Sequence, residues 1–98
     1  MRKVEHALDV ATAPGAGSAF VAAQWEQKWV QLGGSFAGGC SLTVQFTLNG
    51  IDWVDAAPAQ VGPAVIAIVP VVHSVRVYTN AYGGAPTATI TGFDRRVS

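Results

Sequence analysis

The chain has 98 residues, 50% of them hydrophobic and 12% charged, and six basic side chains balance six acidic ones. A chain of this length fits one domain that buries roughly 60–68% of its unfolded surface. Zero net charge excludes the electrostatic footprint of a nucleic-acid binder and a polybasic membrane patch, and a charged fraction well under the ~25% of typical soluble domains points to surface covered by other subunits. The alternative to self-association is a monomer with an Ala- and Gly-rich core and neutral Ser, Thr and Gln outside.

Residues 1–10, MRKVEHALDV, contain no apolar stretch of a secretory signal. They supply a short opening strand over 4–10, and residues 11–19, ATAPGAGSA, read as a loop. Residues 20–36 predict one weak strand and a better one over 28–36, although Trp25 and Trp29, four apart, leave a helical turn open. Residues 37–39, AGG, make a turn.

Residues 41–48 then alternate with period two, Leu42, Val44, Phe46 and Leu48 on one face and Ser41, Thr43, Gln45 and Thr47 on the other. Asn49-Gly50 is the preferred two-residue hairpin loop because both positions need positive φ. That loop pairs Leu48 with Ile51, Thr47 with Asp52 and Phe46 with Trp53, which makes Trp53 a core residue and Asp52 an outward one.

Residues 55–64 read as a loop, with Pro58 and Pro63 barring ladder pairing. The VIAIV run at 65–69 is apolar on both faces and predicts a central or covered strand. The longest apolar run, 63–72, is about half the ~20 residues of a membrane span and carries two prolines. Residues 73–82 alternate again, with Val75, Val77, Thr79 and Ala81 inward and Arg76, Tyr78, Asn80 and Tyr82 outward. Residues 82–86 turn the chain and 87–94 form a last strand. About seven or eight short strands separated by Gly/Pro turns define an all-β antiparallel β-sandwich, of jelly-roll or immunoglobulin-like topology, as a single domain over 1–98. Residues 1–20 within it are a candidate N-terminal arm.

Sites for chemistry are sparse. His6 and His73 are the only imidazoles, and a triad with Ser35 or Ser74 and Asp9 or Asp94 lacks a strained nucleophile elbow. Cys40, the one cysteine, allows no internal disulfide framework and has no metal-ligand spacing with His73. The Gly-x-Gly of residues 14–18 lacks the lysine and helix that phosphate binding requires. Asp52 and Asp55 are three apart on a strand and point to opposite faces, which argues against a paired acid and base. These observations predict no enzyme activity, no cofactor and no metal.

The segments WVQLGGSFAGGCSLTVQFTLNGIDWVDAA and HSVRVYTNAYGGAPTATITGF carry a resemblance. Gly34-Ser35-Phe36, the hairpin Leu48–Trp53, Val75-Arg76-Val77-Tyr78 and residues 87–92 together resemble a pattern in small virion proteins of tailed bacteriophages, over about residues 28–94. This chain has Leu48-Asn49-Gly50 where that pattern more often has Ser-x-Asp-Gly. The resemblance implies a β-sandwich head decoration, or cement, protein in the virion. It would be made in the host cytoplasm and bind the major capsid protein or another virion protein, commonly as a homo-trimer, with neither nucleic acid nor membrane as partner. Its functional residues would then be interface residues: Arg76, Tyr78 and Tyr82 on an outward strand face, Arg2, Lys3 and His6 in the N-terminal arm, and Asp94, Arg95 and Arg96 in the tail. A tail or fibre component is the alternative within the same particle. The LNGIDW hairpin also resembles that of discoidin-like jelly rolls, which implies a carbohydrate-binding module with Tyr78 and Tyr82 stacking on sugars.

Overall fold

The computed structural model describes residues 2–70 and 72–95. Nine strands, β1 Arg2–Leu8, β2 Gly15–Ala16, β3 Phe20–Val21, β4 Trp25–Ser35, β5 Ser41–Thr47, β6 Trp53–Asp55, β7 Ala64–Ile68, β8 Ser74–Ala81 and β9 Ala85–Asp94, form two antiparallel sheets. One sheet has the order β1-β9-β4-β7 and the other β2-β8-β5-β6, with β3 also on β8. Among the described residues no α-helix occurs, and the one helical element is a 3₁₀ turn at Ala37–Gly39. No helix is therefore long and apolar enough to cross a membrane.

The topology resolves the choice left open by the sequence. With β2 and β3 counted as one interrupted strand, the first strand pairs with the last (β1 with β9), the second with the next to last (β2 and β3 with β8), then β4 with β7 and β5 with β6. A long antiparallel ribbon wrapped across two sheets in this way is a jelly roll.

The core lies between the sheets. Val30 and Leu32 of β4, Ile66 and Ile68 of β7, and Ala88 and Ile90 of β9 meet Leu42 and Val44 of β5 and Val75 and Val77 of β8. Each set alternates along its strand, so period-two patterning is what delivers these side chains to one interior.

One open alternative is settled and three local readings are corrected. First, Trp25 and Trp29 both lie in β4, and no helical turn forms there. A bulge between Trp25 and Lys28 puts one extra residue on β4 against β9. Lys28 is inward in phase with Val30 and Leu32, at 2% exposure, and the bulge turns Trp25 inward as well, at 4%, while Trp29 faces out. Second, VIAIV is not a central strand: β7 is an edge, paired only with β4 among the described residues.

Third, the central hairpin is one residue out of the expected register. Thr47 pairs with Trp53, Phe46 with Val54 and Gln45 with Asp55, leaving a five-residue loop over 48–52. A two-residue type I′ loop needs positive φ at both central residues. Gly50 has φ 81°, but no non-glycine residue among those described has positive φ, so Asn49 does not supply it. Instead the Asn49 side chain organises the turn, its Oδ1 accepting from the Ile51 N–H at 2.8 Å and the Asp52 N–H at 2.9 Å. Fourth, because a one-residue slip changes faces, Trp53 joins Thr47 and Gln45 on the outer face rather than the core, and Leu48 is left exposed.

Candidate interaction surface

The outer face of the β2-β8-β5-β6 sheet carries the densest group of interacting polar and aromatic side chains. Gln45 of β5 stands opposite Arg76 of β8 on one side and Asp55 of β6 on the other. Its amide bridges them: Nε2 donates to Asp55 Oδ1 at 2.9 Å, and Oε1 accepts from Arg76 Nε at 2.8 Å. The Arg76 guanidinium covers the Trp53 ring, 4.1 Å from its centroid. Further along the sheet, Asn80 Nδ2 donates to Thr43 Oγ1 at 2.7 Å and to Ser41 Oγ at 3.3 Å. These links tie long side chains to one another across three strands, so they have less freedom left to lose on contact with another surface and the face is in that sense preorganised.

Arg76 and Tyr78 point outward as the alternation of β8 predicts, and both are half-buried by their neighbours. Tyr78 lies between Thr43 of β5 and Ala16 of β2. Tyr82 is exposed beyond the end of β8. A bulge where Ser41 meets Ala81 falls between the two tyrosines, so the alternation that put them on one face does not extend across it.

The other expected contact residues cluster at the chain ends. The stretch expected to act as an N-terminal arm is, over Arg2–Leu8, strand β1, paired with β9 along its whole length. Arg2 stands opposite Asp94. Lys3 is exposed and lies 4.0 Å from Glu5. His6 stacks on Phe20 of the other sheet, ring centroids 4.2 Å apart, and Phe20 in turn meets Trp25 edge-on. One face of its imidazole thus ties the two sheets together and does not reach outward.

Asp94 is corrected as a surface residue. It is buried, because the unbroken alternation of β9 carries it to the side of Ala88 and Ile90, where the β4 bulge brings the inward Trp25 opposite it. Arg95 is exposed but held against its own chain, Nη2 donating to Ala23 O at 3.1 Å and Nε lying 4.0 Å from Glu26. Arg96 lies outside the described residues.

Of the residues considered for catalysis, His73 Nδ1 is 2.7 Å from Ser74 Oγ. Asp9 is engaged elsewhere, accepting from the Ser18 N–H at 2.9 Å. Cys40 is fully buried. Among the described residues no three His, Cys, Asp or Glu side chains come together as a metal site.

Two features escaped the sequence. Trp53 and Asp55 join the outer cluster only through the shifted hairpin register. Lys28 is buried with its Nζ donating to Trp25 O at 3.0 Å, so the bulge carbonyls hold it. Burial, and secondarily the nearby Arg95 charge, lower its pKa below 10.5. A Trp-x-x-Lys spacing at the head of a strand gives no warning of a bulge.

The fold and this face together define a jelly-roll domain with a structured outer sheet surface. No family model matches the chain, and neither does any curated protein. Among solved structures it is similar to the SPBc2 prophage-derived protein YomS, with a TM-score of 0.73 and 13% identity over 93% of this chain and 92% of that one. At this identity the likeness shows a shared fold across nearly the full length of both chains.

Proposed function

We propose that this chain is a non-enzymatic structural protein of a phage particle, a head decoration protein that stabilises the shell through protein–protein contacts with the major capsid protein. The observation that carries the reading is the near full-length fold match to a prophage-derived protein. It coincides with the virion-protein pattern over about residues 28–94. The physical features agree with the role. A charge-poor domain with a preorganised outer face gains by burying area, and at roughly 25 cal/mol per Å² of apolar surface a standard interface provides a large gross stabilisation, partly offset by association costs. Repetition over a shell multiplies the remainder.

The Arg76 guanidinium covers one face of the Trp53 ring. That ring face is not open for stacking, and the bulge between Tyr78 and Tyr82 breaks the shared face on which they were expected to stack on a sugar, which favours a protein partner over a glycan. The test is copy number: this chain is quantified by mass spectrometry against the major capsid protein in purified particles. Hundreds of copies in simple ratio to the capsid protein are expected. A few dozen or fewer would move it to the tail or fibres, and absence from the particle would overturn the virion reading.

A further inference from the structure

We infer that β7 is a self-pairing edge, and that two copies of this chain join by antiparallel addition of β7 to β7 about a twofold axis through Ala67. A free edge strand offers the N–H and C=O of alternate residues to any extended chain, and proteins ordinarily blunt such edges with charges, prolines, bulges or very short strands. Three of the four edges here are blunted. β1 carries Arg2, Lys3 and Glu5, while β2 with β3, and β6, are two or three residues long. β7 is not. It runs for five residues without a charge, its two flanking prolines, Pro63 and Pro70, lie outside it, and among the described residues its only strand partner is β4.

Its side chains are wrong for water. Val65 is 64% exposed and Val69 85% exposed, and Trp29, opposite Ala67 on β4, is 38% exposed. They form an apolar strip along the edge of the outer face. A cleft lined by Glu26, Lys28, Trp29, Ala67 and Val69 opens at its end.

The sequence of the edge identifies the occupant. Residues 65–69 read Val-Ile-Ala-Ile-Val, the same in both directions. Antiparallel pairing about Ala67 places Val65 opposite Val69 of the second copy, Ile66 opposite Ile68, and Ala67 opposite itself. Every exposed valine meets a valine, and the small alanine sits where the two chains cross the axis. An interface of this kind must be self-complementary, because the same patch serves both copies. An unrelated strand would satisfy the backbone equally but would gain nothing from the palindrome. The pairing joins two four-stranded sheets into one of eight and gives a pair, not the trimer that the virion-protein resemblance implies. It does not depend on where in a particle the chain belongs.

Site-directed crosslinking in a Cys40→Ala background tests both the contact and its register, with circular dichroism confirming the fold of each variant. Directly opposed residues in an antiparallel pair have Cα atoms ~4.5–5.5 Å apart, within the ~4.4–6.8 Å that a disulfide spans. The full-length chain is expected to be dimeric by light scattering, and Ala67→Cys to give a covalent dimer on mild oxidation. Val65→Cys alone should not crosslink, because the two copies of residue 65 lie about 13 Å apart along the ladder. A mixture of Val65→Cys with Val69→Cys should crosslink. A monomer at every concentration, a trimer, or equal crosslinking of Ala67→Cys and Val65→Cys would each overturn the inference. Ala67→Lys, which places a charge on the axis, should convert the dimer to a folded monomer; a persistent dimer would show that the contact lies elsewhere.

Discussion

Arg76 and Trp53 come from strands that are not neighbours, β8 and β6, and meet across β5 with the guanidinium 4.1 Å from the ring centroid. Gln45 lies between them and anchors Arg76 through Nε. The contact ties the short edge strand β6, only three residues long, to the middle of its sheet. Cation–π contacts at partly exposed sites contribute roughly 0.5–1 kcal/mol. A double-mutant cycle of Arg76→Met and Trp53→Leu, followed by urea unfolding, should return a coupling of about that size. Additive single effects would show that the contact adds nothing beyond packing.

Asn49 provides the acceptor that closes the 48–52 loop. Asn49→Ala should cost about 1–2 kcal/mol in chemical denaturation, since two backbone donors lose their partner. Asn49→Gly separates the two possible turn geometries. A type I′ turn would tolerate glycine there, whereas the turn held by the Asn49 side chain should lose nearly as much as with alanine. A neutral glycine variant would restore the two-residue hairpin.

Gly92 sits opposite the β4 bulge, where a Cβ would stand 2.2 Å from Gln27 O and 2.9 Å from Trp25 Cε3. Two of the three nearest atoms are backbone and cannot swing away. Gly92→Ala should therefore destabilise by at least ~2 kcal/mol, read as a lowered Tm. Gly62→Ala, with nothing within 4 Å of its added Cβ, should be close to neutral.

Lys28 makes stability depend on alkaline pH. Its pKa in the folded chain lies below 10.5. Between the two values the unfolded chain still holds a proton that the folded chain has released, so stability rises with pH in that interval; well below it both forms are protonated and the group adds no slope. Urea midpoints should climb more steeply for the natural chain than for Lys28→Met as pH approaches about 10.5. Parallel pH profiles would mean that the folded and unfolded lysines titrate alike.

Tyr78, on the outer face, and Tyr82, exposed beyond the bulge, test this end of the sheet as a contact surface. Replacing both with Ser should abolish binding to capsid shells that lack this chain while leaving circular dichroism unchanged. Unchanged binding would remove them from the interface.

Much of the fold was legible because the core strands obey a strict alternation. Leu42 and Val44, and Val75 and Val77, read correctly as inward, and Arg76 and Asn80 as outward, from pattern alone. What failed were places where one residue breaks the count. The hairpin slipped by one because an Asn-Gly pair is equally consistent with a loop organised by the asparagine side chain, and that slip moved Trp53 from the interior to the surface. The β4 bulge turned Trp25 inward by the same arithmetic, beside a Lys28 that plain alternation with Val30 and Leu32 buries. VIAIV, apolar on both faces, left two readings, a central strand or a covered one, and the topology removes the first by making it an edge. The outer cluster was half visible, through Arg76 and Tyr78, because its other half depends on a register that no local pattern specifies.

The wrapped topology also dictates an order of events. β1, at the front of the chain, finds its only strand partner among the described residues in β9, where Arg2 faces Asp94 and Leu8 faces Ala88. During synthesis the opening strand has nothing to pair with until the closing strand has left the ribosome, while β5 and β6 can zip at once around their loop. Long-range pairing of this kind is slow. Assembly should therefore begin at the central hairpin and run outward to both ends, and a nascent chain halted before residue 85 should leave its first strand open to protease while the hairpin is already protected.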